Sequence, residues 1–173
     1  MTAQATKREP GEWVLLSYRM PREPSTPRIA VWRKLRRLGV AQISDGLVAL
    51  PAGARTREQL EWVAEDVIDA GGSASIWLAR PATRAHEDEL VAAMSAARAA
   101  EYRTVIDSAI AAAADGEPTS RASALRRLRS ELRGIQHRDY FPPAERDQAQ
   151  MALQELGEDS PPPRNPARQA RQV

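Results

Sequence analysis

Cysteine is absent from the 173-residue chain, which removes disulfides, thiolate metal sites and cysteine nucleophiles together. Histidine is nearly absent as well, and His86 and His137 alone cannot build a His-rich metal centre. No run approaches the ~18 apolar residues of a membrane-spanning helix, and Met1 to Gly11 holds no apolar core of the signal-peptide type. The chain also lacks the GxxxxGKS/T phosphate loop, the GxGxxG turn, the GxSxG elbow and the HExxH helix. Ser, His and Asp occur without any local signature joining them into a triad. These absences lead to the expectation of a cytoplasmic, non-enzymatic protein with no catalytic residues, metal or cofactor.

Strong apolar side chains are scarce too. Leu, Ile, Val and Phe total 31 residues, below the ~20% at which disorder becomes a live alternative. An equal number of alanines offsets the deficit, because alanine favours helix. Eighteen of the 31 lie between Glu12 and Arg80, so a compact core is expected in the first half, with thinner helical packing behind it. Lysine is rare, and 23 of the 25 basic residues are arginine, a bias that GC-rich codons would produce without function.

Trp13-Val14-Leu15-Leu16-Ser17-Tyr18, bounded by Gly11 and Pro21, has the length and flanking breakers of a buried strand. A helix is expected next: Ser25 or Thr26 offers an N-cap oxygen, Pro27 suits the first helical position, and Gly39 suits the C-cap. Val31, Leu35 and Leu38 form its narrow apolar stripe. Arg33, Arg36 and Arg37 project from the opposite side, with Trp32 on the flank. Asp45-Gly46 between Val40–Ser44 and Leu47–Leu50 is a hairpin signal. Thr56-Arg57-Glu58-Gln59 matches the capping-box pattern of a second helix, whose inner stripe is Leu60, Val63, Ala64 and Val67. Ser75–Leu78 supplies a last strand. The order strand, helix, strand, strand, helix, strand points to an α+β class, a ferredoxin-like βαββαβ sandwich over residues 12–80.

Beyond Thr83 the strand signals stop. Arg84 to Ala114 reads as one long helix, with Leu90, Met94, Ala97, Val105 and Ala109 near a common face; Asp115 to Pro118 breaks it. Leu125, Leu128, Leu132 and Ile135 then recur at heptad-like spacing, and Pro142-Pro143 begins a short helix ending at Leu156. An all-helical half over residues 83–157 is expected, a helical hairpin plus cap helix, with a disordered tail over 158–173.

The positive chemical signal is basic. Arg19, Arg22, Arg28, Arg33, Lys34, Arg36 and Arg37 face only Glu23 within their stretch, and six arginines from Arg121 to Arg138 face only Glu131. Guanidinium groups bind phosphate through paired N–H donors, which suits a nucleic-acid backbone, and Trp32 offers a ring for a base or a guanidinium. The bland alternative is that these are solvated faces, or that they pair with the acidic face of the second helix (Glu58, Glu61, Glu65, Asp66, Asp69). Asp45 fits turn geometry better than catalysis.

Together, Trp13-Val14-Leu15-Leu16-Ser17-Tyr18-Arg19-Met20-Pro21, Pro24-Ser25, Arg28 to Gly39, Asp45-Gly46, Leu50-Pro51, Thr56 to Trp62, Gly71-Gly72 and Asp139-Tyr140-Phe141-Pro142 resemble the N-terminal part of the ChrB chromate-resistance regulators. The similarity runs over roughly residues 12 to 157. A weaker likeness links the first segment to the middle domain of PaaX-type repressors and to ferredoxin-like CRISPR endoribonucleases. Where those nucleases carry an acid after the first strand, this chain has Ser17-Tyr18-Arg19. The ChrB resemblance implies a cytoplasmic regulator of chromate efflux that binds operator DNA as a homodimer and responds to chromate or another oxyanion. Longer ChrB proteins continue into a second domain. The residues expected at DNA are Arg28, Arg33, Lys34, Arg36 and Arg37, extended by Arg126, Arg127 and Arg133. The rivals are a protein-interaction or dimerisation module built on the Leu125/Leu128/Leu132/Ile135 seam, and a metal-dependent nuclease using Asp45 or Glu65.

Overall fold

The structure is a computed structural model that describes residues 10–115 and 117–158. Four strands and five helices follow in the order β1 (Trp13–Arg19), α1 (Ser25–Leu38), β2 (Ala41–Ser44), β3 (Leu47–Pro51), α2 (Ala54–Asp69), β4 (Ser73–Ala79), α3 (Arg84–Ala114), α4 (Pro118–His137) and α5 (Glu145–Glu158). The expected α+β class holds: a four-stranded antiparallel sheet is followed by a mostly helical C-terminal half. The chain divides into two compact units, Met1–Ala97 with Arg138–Pro142, and Arg98–His137 with Pro143–Val173.

In the first unit the strands lie in the order β2-β3-β1-β4, every neighbouring pair antiparallel. The register sets Val14 opposite Leu50 and Leu16 opposite Val48, so these four side chains share a face by the two-residue period of a strand. That face is fully buried, and with it Val31 and Leu35 of α1 and Leu60, Val63, Ala64 and Val67 of α2, the stripes their spacing predicts. Leu38 is half-buried against the same core. The β2–β3 turn closes on Gly46, whose φ of 74° no side chain adopts comfortably. The Tyr18 N–H donates to the Gly46 carbonyl at 2.7 Å, and a Cβ on Gly46 would stand 2.4 Å from the Tyr18 carbonyl oxygen. Asp45 itself keeps a negative φ, so glycine alone carries the left-handed step.

Helix starts depart from expectation. Pro24 occupies the N-cap of α1 without a side-chain cap, neither Ser25 nor Thr26 supplies one, and Pro27 is the third helical residue rather than the first because the helix already starts at Ser25. The Thr56–Gln59 capping box is not formed, because α2 begins at Ala54 with Gly53 as N-cap. Thr56 lies inside the first turn, buried, and its hydroxyl donates back to the carbonyls of Pro51 at 2.7 Å and Gly53 at 3.0 Å. A threonine hydroxyl can serve a preceding carbonyl as readily as a following N–H, and here the chain leaving β3 supplies the carbonyls. Gly39 does take the left-handed C-cap of α1, its N–H reaching the Arg36 carbonyl.

The second face of the sheet is covered in part by the first turns of α3. Glu87 is buried there: its Oε1 accepts the Gly11 N–H at 2.7 Å and the Trp13 indole N–H at 3.4 Å, while Oε2 pairs with Arg84 at 2.8 Å. Met94 joins the same core, and Tyr140 and Phe141 pack on it, the Phe141 ring 5.9 Å from that of Trp13.

The second unit has its own core of Tyr102, Val105, Ala109, Leu125, Leu128, Leu132, Ile135, Ala149, Leu153 and Leu156. The leucine seam of α4 is therefore filled by α3 and α5 of its own chain. Arg103 of α3 pairs with Glu145 in the first turn of α5 at 2.6 Å. Ala97, expected on the buried face of α3, is exposed, because the residues around it turn from one core to the other. The helix α5 runs to Glu158, and the remainder of the tail expected to be disordered, 159–173, lies outside the described residues.

Candidate nucleic-acid interface

The residues that could meet a polyanion sit on the side of α1 turned from the sheet. With Val31 and Leu35 anchored in the core, a rotation of about 100° per residue carries Arg33, Arg36 and Arg37 outward; Arg28, three residues before Val31, falls on the core side of the wheel and is exposed near the start of the helix. Arg33, Arg36 and Arg37 stand at i, i+3 and i+4 and so neighbour one another on one helical face. Among the described residues Arg28, Arg33 and Arg37 have no acidic partner. Arg36 stacks on the half-exposed Trp32 ring one turn earlier, 5.0 Å from its centre. That cation–π contact holds the guanidinium plane in place while leaving its N–H edge free for an acceptor. Arg36 and Arg37 also occupy the last turn of the helix, where the negative end of its dipole tolerates crowded cations.

Lys34 behaves differently. Its ammonium lies 2.5 Å from Asp66 Oδ2 on α2, so the basic helix meets the acidic one through a lysine and keeps its arginines outside. Of the α2 acids, Glu61 pairs with Arg57 along its own helix at 2.7 Å, while Glu58, Glu65 and Asp69 are exposed. Among the described residues no group of three metal-ligating side chains converges.

The second basic stretch lies on α4, in the other unit. Arg126, Arg127 and Arg133 are exposed there, Arg127 reaching Glu131 at 3.7 Å. The described residues thus present two separate arginine surfaces, one on each unit.

Sequence reasoning found the arginines and Trp32 but not the partner of Lys34. Asp66 was legible only as one of five off-stripe acids, since nothing local says which of them faces α1. Asp45 comes beside Tyr18, whose hydroxyl is held above the usual phenol range, first by burial and then by the Asp45 charge. The first unit also holds a cavity of about 320 Å³ on the second sheet face, lined by Trp13, Leu15, Ile43 and Leu90 together with Arg80, His86 and Glu89. No helix among the described residues is long and apolar enough to cross a membrane.

Comparison with known proteins agrees with the resemblance seen in the residues. The chain is 27% identical over 131 residues to "Protein ChrB" of Cupriavidus metallidurans, an alignment covering 75% of this chain and 40% of that protein. This chain therefore corresponds to less than half the length of that relative. No solved structure matches it. The family model described as "Protein ChrB, N-terminal" matches residues 28–160, from the first exposed arginine of α1 to beyond the end of α5, and the chain belongs to the ChrB N-terminal domain family.

Proposed function

We propose that this chain is a non-enzymatic, ChrB-like regulator of chromate resistance that binds operator DNA as a homodimer. The observation that carries the reading is the outer face of α1, where Arg33, Arg36 and Arg37 are exposed as neighbours with Trp32 beside them, and Arg28 is exposed near the start of the same helix. A surface kept for ion pairs within the fold would have used the acids of α2, as Lys34 does. Arginines held off the protein's own carboxylates fit phosphates, which take paired guanidinium donors. The platform under the helix is read as a ferredoxin-like split βαβ sandwich, which the strand order β2-β3-β1-β4 supports. Arg126, Arg127 and Arg133 of α4 are read as further phosphate contacts on the other unit, and the two units serve as sheet domain and helical domain. Chromate, a tetrahedral dianion, suits the same guanidinium donors as a phosphate and would release the DNA by competing for them.

The test is a titration of DNA from upstream of the gene at several salt concentrations. Each phosphate that is no longer neutralised flattens the slope of log K against log salt by about 0.9. Changing Arg33, Arg36 and Arg37 together to Ala should therefore flatten it by about 2 to 3 units. An unchanged slope removes α1 from the interface. Chromate should weaken the wild-type complex more than sulfate at equal ionic strength, and equal effects would remove the inducer role.

A further inference from the structure

The two edges of the sheet are not alike. β2 has four residues and a register shift between Gln42 and Ser44, and shortness and bulging are the usual ways of blunting an edge against other strands. β4 has seven residues, pairs with β1 along its whole length, and carries Ser-Ala-Ser-Ile-Trp-Leu-Ala without a charge, a proline or a bulge. Its outer side is the sheet edge. The large apolar side chains beside that edge are also left in water: Trp77 is 59% exposed, Leu78 54% and Ile68 of α2 55%.

These three lie along one border. Leu78 is opposite Val14 and so belongs to the helix-covered face, whereas Trp77 is opposite Leu15 on the other. Ile68 follows Asp66 by two residues, about 200° round α2. Asp66 faces α1 through Lys34, so Ile68 overhangs the flank away from α1, where α2 covers β4.

We infer that β4 is the dimerisation edge, pairing antiparallel with β4 of a second copy to make one eight-stranded sheet. The inference gives the homodimer of the proposed function its surface and rests on that reading for the number of copies alone, since the pairing does not involve the arginines of α1. A two-fold axis through Ile76 sets Ile76 against its own copy, Ser75 opposite Trp77 and Ala74 opposite Leu78. Trp77 and Leu78 thereby each meet a small side chain while Ile76 packs on its twin, and the sequence of β4 is complementary to itself. An isologous interface requires this. The three exposed side chains offer on the order of 300 Å² per copy, against roughly 800 Å² per partner in a standard interface. The seven-residue backbone edge and the flank of α2 supply the remainder.

Sedimentation velocity on the full chain, from about 1 to 100 µM (the range of moderate affinities), should give a dimer. Trp77→Lys removes the anchor and places a charge on the edge, and should raise the dissociation constant about thirtyfold or more. Trp62→Lys, on the outward side of α2, should leave the dimer intact. The circular dichroism spectrum of each variant checks that it folds. Independently of any variant, those β4 amides that do not bond to β1 should exchange hydrogen more slowly as wild-type concentration rises. A wild type monomeric throughout overturns the inference, as does a dimer that survives Trp77→Lys in a folded chain, or one that Trp62→Lys dissociates equally. DNA titration of the same preparations reads the arginine face separately, so either proposal can fail alone.

Discussion

Lys34 and Asp66 are 32 residues apart in the chain and 2.5 Å apart across the groove between α1 and α2. The pair is partly exposed, so its own contribution to stability is of the order of 1 kcal/mol or less. Its larger effect is on charge: it withdraws one of the five cations of α1. Lys34→Ala should therefore change the salt dependence of DNA binding less than Arg33→Ala does. Asp66→Asn should return the ammonium to solvent, raise affinity and steepen the slope by about 0.9. Equal effects of the lysine and arginine substitutions in the salt titration would show that the ion pair opens on binding.

Glu87 is the buried carboxylate on which three donors converge. Glu87→Ala leaves the Gly11 N–H, the Trp13 indole N–H and the Arg84 guanidinium without this acceptor. The buried donors that remain should cost about 1–3 kcal/mol. Glu87→Gln keeps an acceptor oxygen and should cost less. Urea unfolding followed by Trp fluorescence separates the two, and equal losses would assign the effect to the charge rather than to the hydrogen bonds.

Much of this is legible in the sequence. The strands of the first unit, the inner stripes of α1 and α2, and the seam of α4 follow from periodicity, because burying an apolar face is what fixes each element. Gly39 and Gly46 were readable for a related reason, since each needs a backbone conformation that side chains resist. Helix starts were less legible, as Thr56 shows: its hydroxyl had competing partners, and only the course of the chain from β3 decided between them. Tyr140 and Phe141 pack on the sheet core from far along the chain, and the Tyr140 hydroxyl donates to the carbonyl of Leu38, 102 residues away in sequence, at 3.4 Å. No local pattern announces such a return. At the candidate site the arginines were visible and the selectivity of pairing was not, since that depends on the angle between two helices.

Tyr18 gives a prediction with a definite sign. Its phenol is held above the ordinary range by burial and then by Asp45, so the folded state keeps the proton when the unfolded state, titrating near 10, begins to lose it. The stabilisation is fully present below about pH 10 and is lost as pH rises through the higher folded value. Wild type and Tyr18→Phe, compared by chemical unfolding from neutral to strongly alkaline pH, should differ in slope only in that alkaline range. Asp45→Asn should shrink the difference without abolishing it, because burial is the larger cause. A pH-independent gap between wild type and Tyr18→Phe would mean that the hydroxyl is equally solvated in both states.

Gly46 in the β2–β3 turn and Gly53 at the N-cap of α2 give the sharpest contrast between two glycines. At Gly46 a methyl group would meet the Tyr18 carbonyl oxygen at 2.4 Å, and the φ of 74° would be strained in any case. The obstacle is backbone, which cannot swing aside as a side chain does. At Gly53 the backbone is extended, and a Cβ would find only the Thr56 hydroxyl at an ordinary 3.5 Å. Gly46→Ala should therefore destabilise the chain by at least about 2 kcal/mol, the left-handed strain contributing about 1–2 of it. Gly53→Ala should stay within about 1 kcal/mol. Because Tyr18 belongs to β1 and Gly46 leads directly into β3, the damage should appear as faster hydrogen exchange along the β1–β3 pairing while the core of the second unit keeps its protection. Uniform loss of protection in both units would instead mean that the two unfold as one.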